Sequence, residues 1–502
     1  MRLLPTAAIL AGLALATCTN PRPASTQAAL VADRGGALFQ HHCAVCHGLD
    51  GNGDTAVADF LLPRPTAFRD GLFKLVSTTN GVPTEDDLVA TLRRGMPGST
   101  MMAWGWMPDP DLRALARHVQ KLAVTGRAAT IARTAEHAGR PLTDEQALAI
   151  AERQLLPGPT VDCGSPLDTA AIDVVEGRAL YERNCAGCHG PDGRGLPSTA
   201  SWPTDGTWLW PRDLTAGWLR GGASHRDLAC RIRAGMPGAH MPPIALSTAE
   251  TELLVAYLKT LIPNEAADHH VQWRRTIRCQ KVPSLPADGD DAAFARLDTV
   301  RLPTTPLWWR TEAVTEVQLR AAHDGNQLLL RLEWNDATRD DRARPDRTMG
   351  DGVAVQFARS AEPPLFAMGS EAEPVNVWRW HAFDPKEAAG MTDLLGGVPH
   401  RQLDVPVGGI APRPRAESIE LAGVGTARNA TSSGLPLHVS TAWRDGRWTA
   451  TFRRPLRARA GSEVDLAIGA PLLFALAIWN GSIDTSPASK SITTWHALQL
   501  EP

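Results

Sequence analysis

Cys185–Gly195 is CAGCHGPDGRG, and Cys43–Gly53 is CAVCHGLDGNG, nearly the same text earlier in the chain. The likeness widens on both sides. GGALFQHHCAVCHGLDGNG from Gly35 aligns with GRALYERNCAGCHGPDGRG from Gly177, and RRGMPGSTMMAW from Arg93 aligns with RAGMPGAHMPPI from Arg233. Before each GMPG stands a short helical pattern, TEDDLVATL or SHRDLACRI. It opens on Thr84 or Ser224 with an acid three positions on, and it stops at Gly95 or Gly235. A further helix follows in each copy, DPDLRALARHVQKLA and STAETELLVAYLKTL, the second with Ser247 and Glu250 as a capping box. A domain-length repeat of helical segments predicts two small all-α domains in tandem.

C-x-x-C-H is the attachment signature for c-type haem: two thiols form thioethers to the porphyrin and the adjacent His ligates iron. Two Cys three apart on a helical turn face the same way, so they hold one ring while the next imidazole is delivered beneath it. Cys43, Cys46, Cys185 and Cys188 are therefore the attachment candidates, with His47 and His189 as iron ligands. A redox disulfide or half a zinc site would explain one C-x-x-C. It does not explain two copies that each carry the His inside a matched repeat. Met101 and Met241 lie at nearly the same distance beyond the two His and are the sixth-ligand candidates, since Met with His raises a haem potential.

These motifs resemble small class I cytochromes c, in which the ligand is the Met after the GMPG turn. Pro242 after Met241 favours an extended backbone there. The first copy has Met102 in its place, so Met102 competes with Met101, as His240 does with Met241. Met96 and Met236 are read as turn and packing residues. Arg64 and Arg212, each following a Pro between the motifs, are candidates to pair with haem propionates, against the commoner role of solvated arginine. With both faces of each iron filled by protein, neither centre has an open position for substrate, and the pair carries electrons.

A chain of 502 residues has room for about three domains. Its 43% apolar and 21% charged residues are ordinary for a globular protein, and a net charge of -3 argues against nucleic-acid binding. MRLLPTAAILAGLALATC places Arg2 before a short apolar run, as an export signal does. Leu15–Cys18 resembles a bacterial lipoprotein box, with an unusual Thr17, so lipidation at Cys18 and simple cleavage nearby are the two expectations. Of the eight cysteines, Cys163, Cys230 and Cys279 remain for one disulfide and one buried thiol, and all three pairings stay open. LAIGAPLLFALAIWNG is broken by Gly469 and Pro471 and predicts a buried strand rather than a membrane span.

From about Arg301 the texture turns to β. VTEVQLRAAHDGNQLLLRLEW predicts a hairpin around Asp324-Gly325-Asn326, and LHVSTAWRDGRWTATFR predicts another around Asp445-Gly446. DGVAVQFA, VNVWRWH, LLFALAIW and SITTWHALQL add strands, and an antiparallel β-sandwich is the predicted class. The expected organisation is a signal at 1–18, a linker at 19–30, cytochrome domains at 31–125 and 171–265 with a linker at 126–170 between them, a linker at 266–300, and the sandwich at 301–502. An irregular excursion runs from Ala382 to Pro436. The many tryptophans are core aromatics by default, or else a sugar-binding platform.

WND at Trp334, DGVAVQFA at Asp351, PLFAMGS at Pro364, VNVWRW at Val375, FALAIWNGS at Phe474 and SKSITTWHALQL at Ser489 together resemble the haem b-binding γ subunits of ethylbenzene dehydrogenase and related molybdenum enzymes. That resemblance implies a haem b held by a Met and a Lys, with Met368 and Lys490 in the matching places. Lysine is scarce here, six of 51 basic residues, and an Arg could not replace it as a ligand because guanidinium keeps its proton. PRPTAFRDGLFKLVSTTNGVPTEDDL also resembles cytochromes that accompany such enzymes.

The expectation is a non-catalytic, exported electron-transfer subunit with two covalent haem c and one haem b. Its implied partners are a molybdenum/iron-sulfur oxidoreductase and a soluble or membrane electron carrier. The rivals are a dihaem peroxidase-like enzyme and a dihaem cytochrome fused to a carbohydrate- or ligand-binding sandwich.

Overall fold

The computed structural model describes residues 33–164, 174–196, 210–263, 269–310, 312–341, 350–360, 368–382, 416–423, 426, 428–429, 437–458, 463–483 and 490–502. The export segment with Cys18 and most of the excursion from Ala382 to Pro436 lie outside the described residues, and the described part of that excursion forms two strands, Ala416–Leu421 and Arg428–Asn429, where an irregular course was expected.

The first repeat begins with α1 (Arg34–His42), whose N-cap Asp33 accepts a hydrogen bond from the Gly36 amide at 2.6 Å. α1 runs into the single turn α2 (Ala44–His47), which carries the attachment motif. α3 (Glu85–Arg94) is held by a full capping box between Thr84 and Asp87, and α4 spans Asp109–His137. The second repeat has the same plan: α6 (Val174–Asn184), α7 (Ala186–His189), α8 (His225–Ala234) capped by Ser224, and α9 (Thr248–Leu261) with the Ser247–Glu250 box.

In both repeats the first and last helices cross where no side chain fits. A Cβ placed on Gly35 would lie 2.2 Å from the Ala114 carbonyl oxygen, and one on Gly177 would lie 2.3 Å from that of Leu253. Around the crossings, Phe39, Leu112, Leu115 and Val119 form one core, and Leu180, Tyr181, Leu254 and Val255 the other.

Between the repeats, much of the stretch read as a linker at 126–170 is helical. α4 runs on to His137 after its buried positions end at Ala123, and α5 (Asp144–Gln154) packs back with Ala147 and Ala151 buried. The continuation was not visible because residues 124–137 carry no apolar stripe. Beyond α5, the Val161 amide donates to the Ser77 carbonyl at 2.7 Å. Cys163 then forms a disulfide with Cys230 on α8, which selects one of the three pairings. Cys279 is fully buried, its thiol pushed up to about 12 by burial, and it is a core residue.

The C-terminal region is a large, nearly closed, barrel-like sheet. Its strands are β1 (Thr276–Lys281), β2 (Val300–Pro303), β3 (Thr305–Pro306), β4 (Glu316–His323), β5 (Gln327–Asn335), β6 (Gly352–Ala358) and β7 (Val375–His381). They continue with β8 (Ala416–Leu421), β9 (Arg428–Asn429), β10 (His438–Arg444), β11 (Arg447–Pro455), β12 (Pro471–Trp479), β13 (Ser491–Ile492) and β14 (His496–Leu500). The main path is β10-β11-β5-β4-β1-β14-β12-β6-β7-β8-β9. Both predicted hairpins form, β4–β5 and β10–β11, the latter turning at Asp445 (φ 51°) and Gly446 (φ 72°).

The register departs from a wholly antiparallel expectation at one strand. β1 pairs in parallel with both β14 and β4, seaming two antiparallel halves. The halves share one core: Leu330, Leu332 and Trp334 come from one side, Val355, Phe357 and Leu476 from the other. Trp380 and Trp448, from opposite halves, approach to 5.1 Å between ring centroids. Among the described residues no helix is long and apolar enough to cross a membrane.

The first repeat touches both other units. The Leu62 amide donates to the Leu307 carbonyl at 2.8 Å and the Trp309 amide to the Leu62 carbonyl at 2.9 Å, which docks it on the sheet. Toward the second repeat, Arg231 donates to the Val76 carbonyl at 2.7 Å, and Arg94 pairs with Asp227 at 3.5 Å.

Gly177→Val and Gly35→Val each force two helix backbones apart. Each is expected to cost about 2 kcal/mol or more, read as a lower denaturant midpoint of the full chain.

Candidate functional site

The first attachment motif lines a partly open, largely apolar cavity. Cys43 and Cys46 reach it from the α1–α2 junction, with His47 beside them. Phe68, Phe73, Leu88, Leu92 and Val119 supply apolar walls. The His47 ring stacks on Phe68 at 4.6 Å, and its Nδ1 lies 3.1 Å from the Thr66 carbonyl oxygen. A carbonyl only accepts, so Nδ1 carries the proton and Nε2 keeps its lone pair for a metal. Burial, with Lys74 adding to it, holds the imidazole pKa down at about 4, so the ring is neutral and competent to ligate. Burial also pushes both cysteine thiols up to about 12, and neither is in a disulfide.

The second motif repeats the arrangement. His189 Nδ1 lies 3.3 Å from the Arg212 carbonyl oxygen, burial lowers its pKa, and the Cys185 thiol is pushed up to about 11. Cys188 sits on the same turn, α7.

The GMPG turns deliver methionines in the same way twice. The Met96 amide donates to the Met101 carbonyl at 2.8 Å, and the Met236 amide to the Met241 carbonyl at 2.8 Å. The glycine before each has a left-handed backbone, φ 71° at Gly95 and φ 68° at Gly235. A Cβ at Gly95 would lie 2.4 Å from the Met101 carbonyl oxygen, and one at Gly235 would lie 2.6 Å from that of Met241. Met101 and its competitor Met102 both line the first cavity, but they pack differently. Met101 joins the core of its own repeat with Cys43, while Met102, 4% exposed, packs with Leu61, Leu307 and Ile492 toward the sheet. His240, the competitor of Met241, is exposed.

Arg64 and Arg212 are not counterparts. Gly53 approaches the Pro65 carbonyl and Gly195 that of Pro211, so Thr66 and Arg212 share one position and Arg64 matches Trp210. The first copy has two prolines, Pro63 and Pro65, and Pro65 is the one that corresponds to Pro211. Arg64 reaches the cavity rim and pairs with Asp59 at 3.0 Å. Arg212 is half-buried against Trp309, 4.3 Å from the ring centroid, and donates to the Gly98 carbonyl at 2.9 Å.

Two cavity residues were missed. Lys74 is buried and donates to the Thr66 hydroxyl at 2.7 Å, bracing the residue whose carbonyl faces His47. Arg220 comes from the second repeat yet lines the first cavity. Nothing local in GWLRGGAS marks it.

Met368 and Lys490 each lie against the same buried cluster, formed by Ala354, Val377, Ala475, Trp479 and Ala497 on the face of the sheet opposite its main core. Met368 (φ 41°) packs against that patch, and Lys490 Nζ lies 5.2 Å from the Trp479 ring centroid. Alanines at alternate positions leave this face shallow, with the Arg379–Glu417 ion pair in the same row as Ala354.

Gly95→Ala and Gly235→Ala strain a left-handed turn by at least about 1 kcal/mol and push the Met-bearing backbone away. Each is expected to remove, from one c-type centre only, the red absorption band that a methionine sulfur gives ferric haem.

Comparison with known proteins finds three successive family matches along the chain. Residues 31–119 match cytochrome C oxidase, cbb3-type, subunit III; residues 174–261 match cytochrome c; and residues 291–404 match ethylbenzene dehydrogenase. A candidate respiratory nitrate reductase heme subunit of Haloferax mediterranei is 28% identical over 192 residues, 38% of this chain and 58% of that protein. The dimethylsulfide dehydrogenase subunit gamma of Rhodovulum sulfidophilum is 32% identical over 127 residues, 22% and 48% respectively. The fructose dehydrogenase cytochrome subunit of Gluconobacter japonicus is 26% identical over 206 residues, 36% and 38%. The chain thus spans about half the length of these relatives, or less. Two cytochrome c domains, with the covalent haem c that such domains imply, are followed in this chain by a domain of the ethylbenzene dehydrogenase γ type.

Proposed function

We propose that this chain is an electron-transfer subunit acting outside the cytoplasm, relaying electrons between a molybdenum/iron-sulfur oxidoreductase and a soluble or membrane carrier. The observation that carries the reading is the duplicated site: an attachment pair, a neutral His aimed by a backbone carbonyl, and a Met brought up by a glycine turn. Bound haem supplies one-electron chemistry between ferric and ferrous iron. The residues of the chain hold and tune it. Cys43 and Cys46, and Cys185 and Cys188, are the tethers. His47 with Met101, and His189 with Met241, would ligate the two irons, and the walls around His47 would keep water from the metal. Met368 and Lys490 are the ligands of a haem b on the outer face of the sheet, whose two halves we read as a sandwich.

The relatives named as subunits of nitrate reductase, dimethylsulfide dehydrogenase and fructose dehydrogenase support a role beside an oxidoreductase. A disulfide between Cys163 and Cys230 fits an oxidising compartment. The contacts support a linear order with the first repeat in the middle. Lys490 offers its carbonyl to the Leu307 amide at 2.9 Å, and Leu307 offers its own to Leu62, two residues from Arg64 on the rim of the first cavity.

Neither rival draws equal support. A peroxidase-like enzyme needs one iron face open, and both repeats present a Met turn. A sugar platform needs exposed rings, whereas Trp334, Trp378, Trp380 and Trp448 are buried in the main core.

A pyridine haemochrome spectrum of the purified holoprotein is expected to show two c-type groups and one b-type group per chain. A Met368→Ala, Lys490→Ala double variant is expected to keep the two c and lose the b. Two c and no b in the wild type moves the reading to a ligand-binding module. Binding of carbon monoxide by a c-type centre as isolated counts against the relay.

A further inference from the structure

We propose that Arg220, a residue of the second repeat, holds the carboxylate edge of the haem bound in the first repeat, so that the first site is completed only when the two repeats are docked. The proposal rests on the haem reading above and concerns which residue of this chain supplies the cationic partner.

Arg220 lines the first cavity and is 9% exposed. Its Nε is buried with no hydrogen-bond partner, and burial pulls the guanidinium down to about 10. Beside it stands Arg212, half-buried as a residue, with its Nε and Nη1 buried and unpartnered and one bond, to the Gly98 carbonyl. The two guanidiniums are close enough that Arg220 lowers the pKa of Arg212. Among the described residues neither forms an ion pair with a carboxylate. Two mutually repelling guanidiniums with nitrogens held out of water are unfavourable unless an anion sits with them.

The other cations on that cavity are differently placed. Arg64 lies at the rim with Asp59 at 3.0 Å and Asp54 at 3.9 Å, and Lys74 donates to the Thr66 hydroxyl. The surrounding walls are apolar side chains. An otherwise apolar cavity with a buried, under-bonded guanidinium at its boundary is built for a ligand that is apolar over most of its surface and anionic along one edge. A porphyrin bearing two propionates has that shape and charge. Arginine suits the role because its planar fork takes a carboxylate with two parallel hydrogen bonds and never loses its charge in water.

Two consequences follow. A cation beside the group stabilises the electron-rich ferrous state, so Arg220 raises the potential of the first centre. Contact between the repeats also becomes part of the first site, because Arg220 is carried by the Trp218–Gly222 segment, where Gly221 approaches Leu75 of the first repeat.

The test uses the full-length holoprotein with Arg220→Gln and Arg220→Met as neutral variants and Arg220→Lys as the charge-retaining one. Haem content is read by pyridine haemochrome, and the two c-type potentials by optical redox titration followed with EPR. The expected result is two c-type groups in each variant, a lowered potential at one c-type centre in the neutral variants, and recovery of most of that drop with Lys. A folded neutral variant that carries both c-type groups and keeps both wild-type potentials overturns the proposal. So does a drop produced by Arg64→Gln while the Arg220 variants hold the wild-type values. A wild-type chain without two c-type groups sinks the cofactor reading itself, which separates that failure from this one.

Discussion

Backbone pressed against backbone is the constraint on which both cytochrome domains depend. At Gly35 and Gly177 the first helix of each repeat lies directly on a carbonyl of the last, and at Gly95 and Gly235 a left-handed residue lies against the strand of chain that carries the Met. The helix crossing sets where the attachment turn points, because α1 leads straight into Cys43 and α6 into Cys185. The turn sets where the methionine sulfur can go. Between these fixed points the His needs only one backbone carbonyl to orient it, from Thr66 or Arg212.

The same economy governs how the units are joined. Main-chain hydrogen bonds from Leu62 dock the first repeat on the sheet, and arginine-to-carbonyl bonds from Arg212 and Arg231 dock the second on the first. The helical segment after Ala123 packs on the first repeat and is then tied to α8 by Cys163–Cys230. A relay benefits from such rigid joins, because electron-transfer groups must keep their relative positions while charge moves. The sheet adds its own stiffness: β1, paired on both edges, locks the two antiparallel halves over one aromatic core.

Charge is handled unevenly across the molecule. Many of the described arginines pair with carboxylates, and at the surface each such pair contributes little. The boundary between the repeats instead collects Arg212, half-buried, and Arg220, buried, both without acidic partners among the described residues. In a chain of net charge -3 this local excess of cation reflects the site and not the composition.

Legibility in the sequence followed the range of the interaction. Covalent attachment is a property of five consecutive residues, so CAVCH and CAGCH announce it without any fold. The helix caps at Thr84, Ser224 and Ser247, the Gly95 and Gly235 turns and the Asp445-Gly446 hairpin were equally readable, because each depends on residues within one turn of each other. The family likeness carried Met368 and Lys490 where local pattern alone would have left a core Met and a surface Lys. What only the tertiary structure decided was long-range. It chose Cys163–Cys230 among three pairings, aligned Arg212 with Thr66, set β1 in parallel between two halves, and sent Arg220 into the other repeat's cavity. Those outcomes turn on which surfaces meet once the units have folded, and that information resides in packing between distant segments, which no single stretch of the chain contains.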